Sequence, residues 1–213
     1  MIPARQWISD LMMQKRMPVH IVRHSCMVRM AAMMIAGALK DAGCDIDLKL
    51  VDSAALLHDI CKMDSLKGGG DHAAMGRELM ESHGYHRIGA VIGQHIRLDA
   101  MEPDESMIVN YADKRVMHDK VVSLERRFLD LMDRYGTSEQ SMQRILNHYV
   151  HASEIEQVLL KVSGMDLSLL GNLNLIPGDY SFYAGNGLTR QDGTVEEQDH
   201  HVNLKRIHED EPV

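Results

Sequence analysis

Thirteen histidines occur in this chain of 213 residues, and helical spacing sorts those that point inward from those that do not. Residues three and four apart share one face of a helix. His24 shares a stripe with Met27, Ala31 and Met34 on the most apolar segment of the chain. His58 follows Val51, Ala54 and Ala55, His72 lines up with Met75, Gly76 and Leu79, and His95 lines up with Ile88, Val91 and Ile92. Two carboxylates keep them company. Asp59 stands at a helix end, from which it can turn into a site, and Asp113 shares a face with Val109 and Val116. The second His-Asp pair, His118-Asp119, lies among Arg115, Lys120 and Glu125 and reads as solvated.

A single inward histidine is most often a core residue, because a neutral imidazole buries cheaply once both nitrogens have partners. An inward carboxylate is costlier and needs a cation or a metal. Near Asp113 the only cations are Lys114 and Arg115, which either contact a phosphate or neutralise nearby acids. Four histidines and two carboxylates turned inward together have one economical explanation, a divalent metal centre. Imidazole and carboxylate without thiolate favour manganese, iron, cobalt, nickel or zinc, with magnesium alone less suited. The alternative, histidines as core residues only, predicts a protein that purifies without metal.

The elements that must position these groups read as helices nearly throughout, so the expected fold class is all-α. Helices are expected over about 4–17, 19–42, 48–61, 71–83 and 86–96. A long sixth should run from Pro103 and Asp104 to Tyr135, and a last one from a Thr137–Gln140 capping box to about Val162. The second is apolar almost all round and belongs at the centre. Met30, Met33 and Met34 on it read as packing. Lys67-Gly68-Gly69-Gly70 reads as a flexible connection or a lid, without the ending of a nucleotide-binding P-loop. The expected organisation is a helical bundle over 1–165 and an irregular C-terminal extension over 166–213. Its glycines (171, 178, 185, 187, 193) and acidic end suit a tail that wraps the domain, with Tyr180, Phe182 and Tyr183 as anchors, or one without fixed structure.

The formal charge of −8 argues against a grip on long nucleic acids. A small anionic substrate fits only where something local and positive overcomes that field. The longest apolar run, Met30 to Leu39, is too short for a bilayer helix, and no signal-peptide core is seen at the start. Three cysteines, Cys26, Cys44 and Cys61, are too far apart for a metal site of their own and point to a reducing cytoplasm. Seventeen methionines suggest a core packed by thioethers.

The ordered set His24, His58-Asp59 and Asp113, in "VRHSCMVRMAA", "AALLHDICK" and "NYADKRV", resembles the HD-domain superfamily of metal-dependent phosphohydrolases over about residues 18–136. His72 in "DHAAMGRELM" and His95 in "AVIGQHI" extend the resemblance to the subgroup with two additional histidines. Two features depart from it: Cys61 stands where the His-Asp-Ile-Gly form has glycine, and His95 is single where some binuclear members have two histidines. The resemblance implies that His24, His58, Asp59 and Asp113 hold one ion. Asp59 would bridge to a second, whose shell His72 and His95 complete. It further implies catalysis through metal-activated hydroxide on a phosphomonoester or phosphoanhydride of a small molecule, a nucleotide by family likeness. The alternative is a regulatory module that binds metal and nucleotide without turnover. In the hydrolase that the resemblance implies, Asp59 is catalytic as well as a ligand. Lys62, three residues on, either reaches a phosphate oxygen or merely complements a helix end. His20, one turn before His24, lies at the entrance or on the surface. Oligomeric state is not legible.

Overall fold

Pro18, extended at φ −60 and ψ 144, launches the helix around which the rest is arranged, α2 (Val19–Asp41). In a computed structural model that describes residues 1–184, Val22, Val28, Ala31, Ala32, Ile35, Ala36 and Leu39 of this helix are fully buried. The alanines let its neighbours approach closely, and each buried Val, Ile or Leu side chain contributes about 1.5–3 kcal/mol. α2 packs against α3 (Leu48–Leu57), α7 (Glu105–Lys114) and α9 (Glu139–Ser163). The other α-helices are α1 (Arg5–Gln14), α4 (Lys62–Gly68), α5 (His72–Ser82), α6 (His86–Ile92), α8 (Leu124–Tyr135) and a last turn, α10 (Ser181–Ala184), with short 3-10 turns over Leu167–Asn172 and Pro177–Tyr180. The fold is all-α apart from a two-residue antiparallel hairpin, β1 (Val116–Met117) with β2 (Lys120–Val121). Of the methionines expected to pack, Met33 lies against the core and Met34 faces outward.

Side-chain caps set several boundaries. Asp47 accepts from the amides of Lys49 and Leu50 at the start of α3, and Asp71 from those of Ala73 and Ala74 at the start of α5. The last long helix starts with a capping box one residue later than the sequence suggests, between Ser138 and Ser141. The serine hydroxyls, not Thr137 and Gln140, make the reciprocal bonds.

Four expectations need correction. The long sixth helix is two helices, because the chain leaves α7 at Arg115 and reverses in the hairpin before Ser123 caps α8. The helix expected to end at Cys61 stops at Leu57, and the one expected to reach Ile96 stops at Ile92. His58 and His95 therefore stand in turns just past a helix end. The glycine stretch is no loose lid: Lys67 and Gly68 complete α4, and Gly69 and Gly70 turn at φ 75 and 99, with the Ser65 hydroxyl donating to the Gly70 carbonyl. Only glycine adopts two such backbone angles in succession without strain.

Beyond α9 the chain wraps the bundle. Leu167 and Leu170 are buried, the Tyr183 hydroxyl donates to the Met17 carbonyl, and the Phe182 carbonyl accepts from Ser9. Arg5 lies over the Phe182 ring and Arg23 over the Tyr180 ring. All three aromatics thus serve as anchors. The expectations placed on Gly185, Gly187, Gly193 and the acidic end fall outside the described residues. Among those described, no helix is long and apolar enough to cross a membrane.

Candidate metal centre

A carbonyl can only accept, so a ring nitrogen that contacts one carries the hydrogen. His58 Nδ1 donates to the Ala55 carbonyl at 2.8 Å, and His95 Nδ1 donates to the Ile92 carbonyl at 2.7 Å. The device is the same in both: a carbonyl of the last helical turn, three residues back, takes the proton. His24 Nδ1 donates to the His118 carbonyl at 2.8 Å. Three rings are thereby fixed with Nε2 facing the interior of one cluster, the orientation that a second shell imposes on metal-ligating histidines.

The inward atoms fall into two groups. His24 Nε2 is 3.0 Å and His58 Nε2 3.5 Å from Asp113 Oδ1. His72 Nε2 is 3.1 Å and His95 Nε2 3.7 Å from Asp59 Oδ1, and the two ring nitrogens are 3.1 Å apart. Asp59 Oδ2 lies 3.6 Å from His58 Nε2, so one carboxylate faces both groups. The ligand atoms of each group, His24–His58–Asp113 and Asp59–His72–His95, lie within 4.8 Å of one another. Nitrogens and oxygens that share an ion at about 2.1 Å stand roughly 3.0–3.5 Å apart, so both groups fit a divalent cation. The sharpest test is His58. Its Nε2 is buried with no hydrogen-bond partner among the described residues, and an orphaned buried nitrogen is costly unless something else satisfies it.

The electrostatics agree with that reading. Burial opposes charge on His58, but Asp59 and Asp113 outweigh it and raise its pKa to about 9. Burial also opposes ionised Asp59, yet Lys62, His58 and His72 hold it well below the usual carboxylate range. Asp113 is held down likewise, by His24 and His58 against burial. His95, buried and beside His58 and His72, is pushed down to about 3. Two ionised carboxylates thus create a demand for positive charge, and neutral His95 offers a lone pair.

A cavity of about 480 Å³ opens onto this cluster, with His24, Asp59 and Lys62 in its wall. Lys62 Nζ stands 3.9 Å from Asp59 Oδ1. His20 also lines the cavity, in accord with a place at the entrance. Arg23, Arg127 and Arg134 line it too, which supplies the local positive field that an anionic substrate needs in an acidic protein.

The structure brings together all six metal-ligand candidates, His24, His58, Asp59, His72, His95 and Asp113, with Lys62 beside them. Lys114 and Arg115 are buried and turn elsewhere. Lys114 donates to the carbonyls of His95 and Ile96, and Arg115 donates to the Val122 carbonyl and the Tyr111 hydroxyl. The His118-Asp119 pair is not idle surface. The His118 side chain is exposed, but its backbone, in the left-handed turn at φ 56, presents the carbonyl to His24, and Asp119 pairs with Arg23. Cys61 is buried at φ −102, a backbone angle that any residue adopts, so this position does not require the glycine of the related motif. Arg127 and Arg134 escaped the sequence reading, although their seven-residue spacing puts them on one face of α8.

A family model described as "HD domain" matches residues 21–137. The chain is also 27% identical over 144 residues to "Uncharacterized protein MJ0778" of Methanocaldococcus jannaschii, covering 60% of this chain and 84% of that protein. No solved structure gives a significant match. The matched segment takes in all six inward residues and more than half of the chain, and the chain belongs to the HD domain family of metal-dependent phosphohydrolases.

Proposed function

We propose that the protein is a hydrolase that binds two divalent ions and cleaves a phosphomonoester or phosphoanhydride of a small molecule, with nucleotides as the first class to test. The observation that carries this reading is the position of His58 Nε2, partnerless between the carboxylates of Asp59 and Asp113. His24, His58 and Asp113 would hold one ion, His72 and His95 the other, and Asp59 would serve both. When bound, such ions polarise phosphoryl oxygens and bring the pKa of water down toward about 7.

The chain's own groups do the rest. Lys62, at the cavity wall beside Asp59, contacts a phosphoryl oxygen and takes up part of the charge that develops there. The carbonyls of Ala55, Ile92 and His118 keep three rings in one tautomer, so that no reorientation is needed during turnover. In the net reaction a water oxygen joins phosphorus as the bond to the leaving-group oxygen breaks, and that oxygen leaves with a proton. The net charge of −8 supports small substrates over long nucleic acids or anionic membranes.

The test is metal content per chain, on protein purified without chelator, joined to phosphate release from a panel of phosphomonoesters and phosphoanhydrides. Bound metal and turnover of at least one compound, both lost in Asp59→Ala, are expected. A metal-free protein that turns over nothing with any of the five transition metals overturns the reading.

A further inference from the structure

Two of the arginines that line the cavity, Arg127 and Arg134, stand seven residues apart on α8 and share one carboxylate: Asp130 Oδ2 accepts from both guanidiniums. Seven residues span about 10 Å of helix, so the pair forms a cationic strip along the wall. Arg127 is the deeper, at 18% side-chain exposure, and Arg134 the outer, at 38%. Arg23 adds a third guanidinium from α2, pinned by Asp119 and the Tyr180 ring. The Nε atoms of Arg23 and Arg127 are buried donors with no acceptor among the described residues. Among the described lining residues the carboxylates are Asp59, one of the metal-ligand candidates, and Asp119.

Three guanidiniums exceed what one phosphoryl group beside Lys62 and the metal ligands requires. Their planar forks match phosphate oxygens in pairs, and they are held in place by Asp130 and Asp119 before any ligand arrives. We propose that Arg23, Arg127 and Arg134 form a second phosphate subsite, so that the substrate class is a small molecule with two separated phosphoryl groups, one cleaved and one held. This rests on the hydrolase reading for the first subsite only.

The experiment is calorimetric titration of the metal-loaded protein with alkanediol bisphosphates of increasing spacer length and with butyl phosphate. At least one spacer length should bind about ten-fold or more tightly than butyl phosphate, and this advantage should shrink below about three-fold in Arg127→Gln/Arg134→Gln. Arg134→Gln alone, at an exposed position, keeps the fold intact and should lose part of the advantage. Butyl phosphate binding as tightly as every bisphosphate, or an advantage that survives the double substitution, overturns the proposal. Asp59→Ala in the same titrations separates the two readings. It weakens butyl phosphate binding where the metal-site reading is right and leaves it unchanged where that reading fails.

Discussion

The ammonium of Lys114 lies 3.1 Å from the carbonyl oxygen of His95. It also reaches the Ile96 carbonyl at 3.1 Å and Asn110 Oδ1 at 2.8 Å, so a buried cation from α7 fastens the turn that carries a metal-ligand candidate. Asn110 reinforces the link by donating to the Gln94 carbonyl. Removing the cation leaves two buried acceptors and one partly buried acceptor short of a donor. Lys114→Met keeps the stem and should cost about 3 kcal/mol in urea unfolding, and it should lower metal content through His95. Full stability with normal metal content would show that the turn is held by other means.

Metal-free protein should be most stable near pH 6.5. His58 has its folded pKa raised from 6.5 to about 9; its contribution is full below 6.5 and is lost as pH rises through 9. His95 has its folded pKa lowered from 6.5 to about 3; its contribution is full above 6.5 and is lost as pH falls toward 3. Thermal melts of chelator-treated protein across pH 4–10 read both limbs, and a curve that climbs steadily from pH 6.5 to 9 contradicts the charge assignment at His58. Metal must displace that proton. Calorimetry at pH 8 in buffers of different ionisation heat should therefore find about one proton released through His58 on loading.

The two ligand groups predict different losses from different substitutions. His72→Ala touches only the group with Asp59 and His95, and His24→Ala only the group with His58 and Asp113. Each should bring bound metal from two ions per chain to about one. Asp59→Asn should lower both, since its two oxygens face the two groups. Elemental analysis after dialysis decides. Equal losses from His24→Ala, His72→Ala and Asp59→Asn would mean that the six residues hold a single shared ion.

What the sequence made legible follows from what helical periodicity can encode. The inward set His24, His58, Asp59, His72, His95 and Asp113 was readable because apolar stripes mark the buried face. The same rule misled at the ends of α3 and α6, where the periodicity continues although the chain has turned. His58 and His95 keep the stripe's direction while standing in turns, and the carbonyls of Ala55 and Ile92 that fix their rings carry no side-chain signature. The hairpin was invisible for a similar reason. His118 takes a left-handed angle without being glycine, so the usual marker of a reversal is missing and α7 reads straight into α8. Lys114 and Arg115 read in sequence as cations for a phosphate or for nearby acids, and only tertiary packing reveals that they tie backbone to backbone.

Arg115 is the best place to test whether that hairpin matters to the site. Its Nε donates to the Val122 carbonyl at 2.7 Å and its guanidinium to the Tyr111 hydroxyl at 2.5 Å. The Val122 amide returns a bond to the Arg115 carbonyl at 2.8 Å. These contacts hold the arm whose turn presents the His118 carbonyl to His24. Arg115→Met should cost about 2–3 kcal/mol of stability, for a buried charged donor removed from two acceptors. It should also weaken the ion held by His24, His58 and Asp113 more than the ion held by His72 and His95. A cobalt titration followed by absorption distinguishes the two: the variant should lose the affinity of one binding step and keep the other. If both steps weaken together, the loss lies in the fold as a whole; if neither does, His24 keeps its orientation without the hairpin.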